Sequence, residues 1–169
     1  FLVSKAGRCG MNEKITVGIA DMKMAKGAGV LITYALGSCI GLCFQDPALH
    51  LGALLHVMLP MNMEAGRKNA FKYADTGIRE TLRQMTAQGA LKSRITVKIA
   101  GGAKMFEVSG GGLGNIGQRN IESVHTILRQ EGVRLTAEDV GGKVARTLLF
   151  DVVSGQGCIR SYGRQDIFF

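Results

Sequence analysis

Residues 29–44 read GVLITYALGSCIGLCF, which is two apolar runs separated by Gly37, Ser38 and Cys39. The first run is rich in aliphatic and β-branched residues that suit a buried strand, and the second resumes the pattern. The stretch is shorter than the ~20 apolar residues that a membrane-spanning helix needs, so membrane insertion is not expected. We therefore predict two buried strands with a tight bend between them, and Cys39 at that bend.

Further strands are predicted on both sides of this stretch. Asp46-Pro47 indicates a turn, after which an apolar strand could return alongside the second run as a hairpin. The predicted strands cover residues 15–20, 29–36, 40–44, 51–59, 94–100, 133–140, 144–153 and 158–164.

Two helices are predicted between these strands. Residues 69–88 carry apolar side chains at three- and four-residue steps, and Gly89 is placed to end that helix. A second helix carries Ile121, Val124, Ile127 and Leu128 on one face and ends at Gly132.

The order of these elements predicts one α/β domain with mixed or antiparallel β-sheet layers and two principal helices. A chain of 169 residues has the usual length of a single domain. We assign residues 15–164 to this domain, residues 1–14 to an N-terminal extension and residues 165–169 to a C-terminal tail.

The charge of the chain favours acidic partners without indicating nucleic acid. Lysine and arginine number 21 against 13 aspartates and glutamates, which gives a net charge of +8. The basic residues are scattered and are not interleaved with aromatic residues, so nucleic-acid binding is not expected. The first residues do not form a secretory signal, which favours the cytoplasm, where the four cysteines would be free thiols.

Cys39 is the best candidate for a nucleophile, because a thiolate attacks readily and a nearby histidine or backbone amides can lower the thiol pKa. Amides exposed at the bend formed by Gly37 and Ser38 could also hold an oxyanion. His56, on the returning strand, could lie beside Cys39 as its base. Spacing alone leaves the alternative open that both residues are ordinary core residues.

Two other chemistries have partial support in the sequence. Cys39, Cys43, His50 and His56 are residue types that bind zinc, but two cysteines in a strand at this spacing lie ~13 Å apart, so no metal site is expected. A helical turn over residues 39–43 would bring the two cysteines closer together and would again favour a metal site.

The second chemistry is dinucleotide binding, suggested by the pattern Gly112-x-Gly114-x-x-Gly117 before the second helix. The stretch before it is a poor buried strand, and the acidic pair Glu138-Asp139 lies beyond the usual ~20-residue interval. A glycine-rich structural turn is the favoured interpretation.

The motifs around Cys39 and His56 closely resemble those of the chemoreceptor glutamine deamidases, the CheD family of bacterial chemotaxis. The resemblance covers about residues 15–150. Its motifs, in order, are Leu36-Gly37-Ser38-Cys39, Leu55-His56-Val57-Met58-Leu59-Pro60, Tyr73-Ala74-Asp75-Thr76, Ile99-Ala100-Gly101-Gly102-Ala103 with Met105-Phe106, Asn115-Ile116-Gly117 with Arg119-Asn120, and Ala137-Glu138-Asp139 with Gly141-Gly142.

This resemblance implies the fold of the catalytic domain of cytotoxic necrotizing factor toxins and a cysteine-dependent hydrolysis of glutamine side-chain amides to glutamate and ammonia. The catalytic residues that it implies are Cys39 as nucleophile, His56 as base and Thr33 as the residue that orients the imidazole. Backbone amides near Ser38 and Cys39 would hold the oxyanion, and no cofactor is required.

The resemblance also implies two protein partners, the cytoplasmic helices of chemoreceptors as substrate and the CheC phosphatase as a regulator. The alternative function is a binding module that regulates this phosphatase and has little turnover of its own. Met105 and Phe106 lie in glycine-rich surroundings, and we expect Phe106 to form part of a partner-binding surface.

Overall fold

The computed structural model describes residues 14–62, 69–106 and 115–169, which form two β-sheets and two α-helices. The strands are β1 (Lys14–Thr16), β2 (Asp21–Lys26), β3 (Val30–Leu36), β4 (Ile40–Asp46), β5 (Leu51–Val57), β6 (Thr96–Gly101), β7 (Arg134–Val140), β8 (Arg146–Asp151), β9 (Gly157–Arg160) and β10 (Ile167–Phe168). The helices are α1 (Ala74–Ala87) and α2 (Ile116–Gln130), and a short 3₁₀ helix (Ala70–Lys72) precedes α1.

Each sheet has five strands and mixed pairing. The first sheet has the order β1-β3-β8-β9-β10, and the second has the order β2-β5-β4-β6-β7. Pairing is parallel between β1 and β3 and between β6 and β7, and antiparallel elsewhere in both sheets. The α/β class with mixed sheets and two principal helices is therefore confirmed.

Two layers of apolar side chains hold the second sheet between the first sheet and the helices. Leu31, Leu54 and Phe150 belong to a cluster between the two sheets. Leu55, Ile78 and Val124 belong to a larger cluster between the second sheet and both helices. Alternate residues of β5 thus enter opposite layers, as the two-residue period of a strand requires.

Most predicted elements are confirmed, and the turn at Asp46-Pro47 does join β4 and β5 as an antiparallel hairpin. Both helices end as predicted, with Gly89 and Gly132 at positive φ of 100° and 68°. No helix in the part of the chain that the structure describes is both long and apolar enough to cross a membrane.

The prediction is wrong in two places. The strand predicted over residues 15–20 ends at Thr16, and β2, which the sequence pattern does not predict, begins at Asp21. The helix predicted from residue 69 is interrupted at Tyr73, which is extended and bridges to Leu59. The backbone N–H groups of Met58 and Leu59 both donate to the carbonyl of Lys72, so pairing with the end of β5 displaces the helical pattern there.

The structure can be compared with the predicted N-terminal extension and C-terminal tail. Residues 1–13 of the predicted extension lie outside the described residues, and Lys14 begins β1. The predicted tail contains β10, which pairs antiparallel with β9.

Candidate active site

Strand β3 ends in a bulge that turns the chain into the bend at Cys39. The register with β8 shifts between Thr33 and Leu36, so that Tyr34 and Ala35 both face solvent and Leu36 is buried. Ala35 has a φ angle of 59°, a left-handed backbone conformation that residues other than glycine adopt at a cost of about 1 kcal/mol or more. The irregular backbone lies directly before the candidate nucleophile.

Three hydrogen bonds hold the carbonyl groups of the bend. The N–H of Ala103 donates to the carbonyl of Gly37 at 2.8 Å, and the N–H of Gly102 donates to that of Cys39 at 2.8 Å. The carbonyl of Ser38 accepts from Nδ2 of Asn120, also at 2.8 Å. The bend is therefore fixed by the segment after β6 and by α2.

The amide groups of the same bend are partly available. The N–H of Gly37 donates to the carbonyl of Ala35 at 3.0 Å. Among the described residues, no oxygen accepts from the N–H groups of Ser38 and Cys39. These two N–H groups therefore have no oxygen partner within the bend, whereas that of Gly37 does, and their role as an oxyanion site stays a prediction.

His56 comes to the bend through the β4–β5 hairpin. The register places Gly41 opposite His56 and Ile40 opposite Val57, so Cys39 lies diagonal to His56 at the end of the ladder. His56 follows Leu54 by two residues and therefore faces the layer between the sheets, against which Cys39 also packs. The side chains of Cys39 and His56 thus share one face of the second sheet.

Thr33, on the first sheet, reaches across this layer to His56. Its Oγ1 lies 2.7 Å from Nδ1 of His56 and donates to the carbonyl oxygen of Val17 at 2.8 Å. Because the carbonyl can only accept, the single hydroxyl proton of Thr33 is used there, and Nδ1 of His56 must carry the proton of the second contact. Nε2 of His56 then keeps its lone pair, and it has no hydrogen-bond partner among the described residues.

Burial decides the charge of both groups. It lowers the pKa of His56 from 6.5 to about 4, so the imidazole is neutral at pH 7. It also raises the pKa of the Cys39 thiol, and a hydrogen bond from the backbone amide of Cys39 itself opposes this rise without cancelling it. The expectation that this cysteine has a lowered pKa is therefore wrong for the free protein, in which both groups are neutral.

The remaining cysteines within the described residues are core side chains. Cys43 and Cys158 are fully buried, and burial raises the pKa of Cys43 far above its usual range. His50 lies in the loop of the β4–β5 hairpin, at the opposite end of β4 from Cys39. The four residues considered for zinc are not brought together, and no group of three metal-binding side chains occurs in residues 14–62, 69–106 and 115–169.

The glycine pattern before α2 lies partly outside the described residues, but its last member has a structural explanation. A Cβ atom on Gly117 would lie 2.5 Å from the carbonyl oxygen of Gly102 and 2.6 Å from that of Ala103. Glycine at this position therefore allows the first turn of α2 to lie directly on the backbone that holds the bend.

Met105 packs against the bend, and Phe106 follows it in the chain. A Cβ atom on Gly37 would lie 2.9 Å from Cγ of Met105, so the methionine side chain covers the start of the bend. Phe106 is 77% exposed, which is an unusual amount for a phenylalanine.

Several residues that shape this site were not assigned a role from the sequence. Asn120 and the segment Gly102-Ala103 appeared only within motifs shared with a family, and Asn120 lies 82 positions from Ser38. Contacts over such separations leave no signal in spacing or periodicity.

Solved structures provide a fold comparison. The chain is similar to the crystal structure of a Neisseria meningitidis protein of the DUF152 family model, with a TM-score of 0.52 and 13% identity over 76% of this chain and 64% of that one. This likeness concerns the fold alone. The similarity to the cytotoxic necrotizing factor domain stays a prediction.

Sequence comparisons identify the family. The family model described as CheD chemotactic sensory transduction matches residues 58–161. A Syntrophomonas wolfei protein named probable chemoreceptor glutamine deamidase CheD is 43% identical over 90% of this chain and 96% of its own length. A Thermotoga maritima protein named chemoreceptor glutamine deamidase CheD is 40% identical over 89% of this chain and 93% of its own. The chain with the Cys39 bend and the Thr33–His56 pair therefore belongs to the CheD family.

Proposed function

We propose that the protein is a chemoreceptor glutamine deamidase in which Cys39 is the nucleophile, His56 the general base and Thr33 the residue that orients His56. The observation that carries the proposal is the hydrogen-bond chain from His56 through Thr33 to Val17, which leaves a lone pair on Nε2 in the layer against which Cys39 packs. The names of the relatives support the substrate class.

The first step forms a thioester. Nε2 of His56 accepts the thiol proton as the sulfur of Cys39 attacks the side-chain carbonyl carbon of a glutamine. The carbonyl oxygen becomes an oxyanion, which the N–H groups of Ser38 and Cys39 can stabilise. The imidazolium then gives its proton to the amide nitrogen, the carbon–nitrogen bond breaks and ammonia leaves.

The second step restores the enzyme. Water attacks the thioester carbon while Nε2 of His56 takes a proton from it, and the carbon–sulfur bond breaks as the thiol is reprotonated. The product is glutamate, and Thr33 keeps accepting from Nδ1 throughout. Because the free protein holds a neutral thiol and a neutral imidazole, the proton transfer of the first step has not taken place before the substrate binds.

The proposed substrate is a glutamine on the cytoplasmic helices of a chemoreceptor. A net charge of +8 attracts acidic surfaces and speeds encounter with them. Phe106 is exposed and follows Met105, which covers the start of the bend, so we expect it to contact a protein that approaches the site.

The CheC phosphatase is a second proposed partner, and the exposed Phe106 is the observation that favours a protein-binding function. On this alternative, the chain binds and regulates the phosphatase with little turnover of its own.

One experiment separates the two functions. The protein is incubated with a cytoplasmic receptor fragment that contains glutamine, ammonia release is measured, and peptides of the fragment are analysed for glutamate. We expect ammonia and glutamate in equal amounts. Binding to the phosphatase without ammonia release from any receptor fragment would favour the regulatory module and contradict the deamidase.

A further inference from the structure

We propose that Asn120 is a positioning residue that ties the nucleophile bend to the strand carrying the general base. Its Nδ2 donates one hydrogen bond to the carbonyl of Ser38 at 2.8 Å and a second to the carbonyl of Met58 at 2.9 Å. Ser38 precedes Cys39 by one residue, and Met58 follows His56 by two. A single side chain thus spans the two segments whose separation sets the distance from sulfur to imidazole.

The chemistry of the amide group fits both contacts. An asparagine NH₂ has two hydrogens, and both partners are carbonyl oxygens that can only accept, so both hydrogens are used and the orientation of the amide is settled. The Asn120 side chain is completely buried. A hydrogen bond that is shielded from water in this way resists competition by solvent and restrains the segments that it joins.

Asn120 reaches the site because α2 approaches it closely. Gly117, one turn earlier, has no side chain to separate the helix from the backbone oxygens of Gly102 and Ala103. The N–H groups of these two residues in turn hold the carbonyls of Cys39 and Gly37. The helix, the segment after β6 and the bend therefore form one connected support, and Asn120 also bonds the carbonyl of Met58, directly after the strand of His56.

The positioning role follows from a comparison with the other hydrogen bonds at the site. The hydrogen bond to Thr33 fixes the imidazole of His56, and Gly102 and Ala103 fix two carbonyls of the bend. The β4–β5 ladder pairs Gly41 with His56 and ends at Ile40 and Val57, so beyond its end the bend is joined to the residue after Val57 through Asn120. Misplacement of a reacting group by about 1 Å can lower a rate about a hundredfold, so this link bears on turnover.

The inference rests on the proposed function, and its test measures turnover and the free thiol separately. In Asn120→Asp, a group of nearly the same shape replaces the amide and, when ionised, loses both donors. Asn120→Ala also removes both donors but introduces no charge, and it is used if Asn120→Asp does not fold. Leu128→Ala, which removes a buried side chain from the same helix far from the bend, controls for lost stability.

With a glutamine-containing receptor fragment, we expect kcat of the Asn120 variants to fall about tenfold to a hundredfold while KM changes less than about threefold. Leu128→Ala should keep kcat near that of the unmodified protein at temperatures where it is folded. Equal losses of kcat in Leu128→Ala and the Asn120 variants, or an unchanged kcat in folded Asn120→Ala, would overturn the inference.

Alkylation of Cys39 by iodoacetamide, followed on the Cys39 peptide, needs no receptor. The rate for Asn120→Ala should fall towards that of His56→Gln, because a misplaced imidazole assists the thiol less. If the unmodified protein releases no ammonia but Asn120→Ala still slows alkylation, the proposed function fails and the positioning role stands. If ammonia is released and both kcat and alkylation are unaffected in Asn120→Ala, only the positioning role fails.

Discussion

The hydroxyl proton of Thr33 determines which nitrogen of His56 can act as a base. Oγ1 of Thr33 donates to the carbonyl of Val17 and accepts from Nδ1 of His56, so the tautomer with a free lone pair on Nε2 is the one that the contacts stabilise. Without the hydroxyl, the buried N–H at Nδ1 would lose its partner, and the imidazole would lose both its orientation and its preferred tautomer.

Substitution of Thr33 tests this arrangement. We expect Thr33→Val to lower kcat about tenfold to a hundredfold, and Thr33→Ser, which keeps the hydroxyl, to lower it much less. Both losses should be smaller than that of Cys39→Ala, because Thr33 acts through His56. The measurement is ammonia release at saturating receptor fragment, and equal damage in the valine and serine variants would show that the hydroxyl is not the reason for threonine here.

The burial of His56 predicts a dependence of stability on pH. Its pKa is about 4 in the folded protein, below the 6.5 of an exposed histidine, so between these pH values the unfolded chain binds a proton that the folded chain does not. The free energy of unfolding should therefore fall as the pH is lowered through this window, by about 3 kcal/mol from this group.

The contribution of His56 is isolated by comparison with His56→Gln in urea unfolding from pH 7 to pH 4. We expect the stability of the unmodified protein to fall more steeply than that of the variant. Parallel pH profiles would mean that the imidazole already has an ordinary pKa in the folded state.

The two residues that we propose to react could be proposed from the sequence, but their charge states could not. Gly37-Ser38-Cys39 and the strand with His56 stand out as motifs, and the hairpin that brings them together follows from Asp46-Pro47. The direction of the Cys39 pKa depends on how much of the layer between the sheets covers the thiol, and that is a property of the packed sheets. The sequence suggested Thr33 only through the resemblance, and it did not specify whether the hydroxyl or the carbonyl makes the contact.

At the scale of the elements, the close approach of α2 to the segment after β6 supports the bend. Gly117→Ala would place a methyl group against two carbonyl oxygens that cannot move without disturbing Gly37 and Cys39. We expect a loss of about 1–3 kcal/mol in the free energy of unfolding, with a fall in kcat.

Gly18→Ala is the matched control, because a Cβ atom there meets nothing within 4 Å and the φ angle of Gly18 is not in the left-handed region. Chemical denaturation and ammonia release are measured for both variants. If Gly117→Ala were as stable and as active as Gly18→Ala, the close approach of α2 would not be needed for stability or for activity.

The elements that could be predicted well from the sequence are those with a clear pattern of apolar residues. Both helices carry an apolar stripe and end at glycines, and the strands around Cys39 and His56 are almost wholly apolar. The edge strand β2 carries Lys23 and Lys26 with only Met22 buried, so its composition gives little indication of a strand. The break before α1 arises from pairing between Tyr73 and Leu59, which local sequence does not contain.

At the scale of the whole molecule, the exposed Phe106 follows Met105, whose side chain covers the start of the Cys39 bend. We expect Phe106→Asp to weaken binding of the receptor fragment or of the CheC phosphatase by about tenfold, because a large apolar side chain is replaced by a charge. Its melting temperature should stay close to that of the unmodified protein, since the side chain is 77% exposed.

Tyr162→Asp removes another aromatic side chain, 98% exposed in the turn after β9, and serves as the control for charge. The dissociation constants of both variants for the same partners are measured by isothermal titration calorimetry or surface plasmon resonance. Equal weakening in the two variants would assign the effect to net charge, and a large fall in the melting temperature of Phe106→Asp would assign Phe106 to the core.

The most direct test of the whole account is the conversion of receptor glutamines by the unmodified protein and by Cys39→Ala. Peptides of a receptor fragment are analysed by mass spectrometry for glutamine sites that have become glutamate. The account predicts conversion at specific glutamines by the unmodified protein, none by a folded Cys39→Ala protein, and no further loss when His56→Ala is added to it. Conversion of receptor glutamine at an appreciable rate by Cys39→Ala would contradict the account.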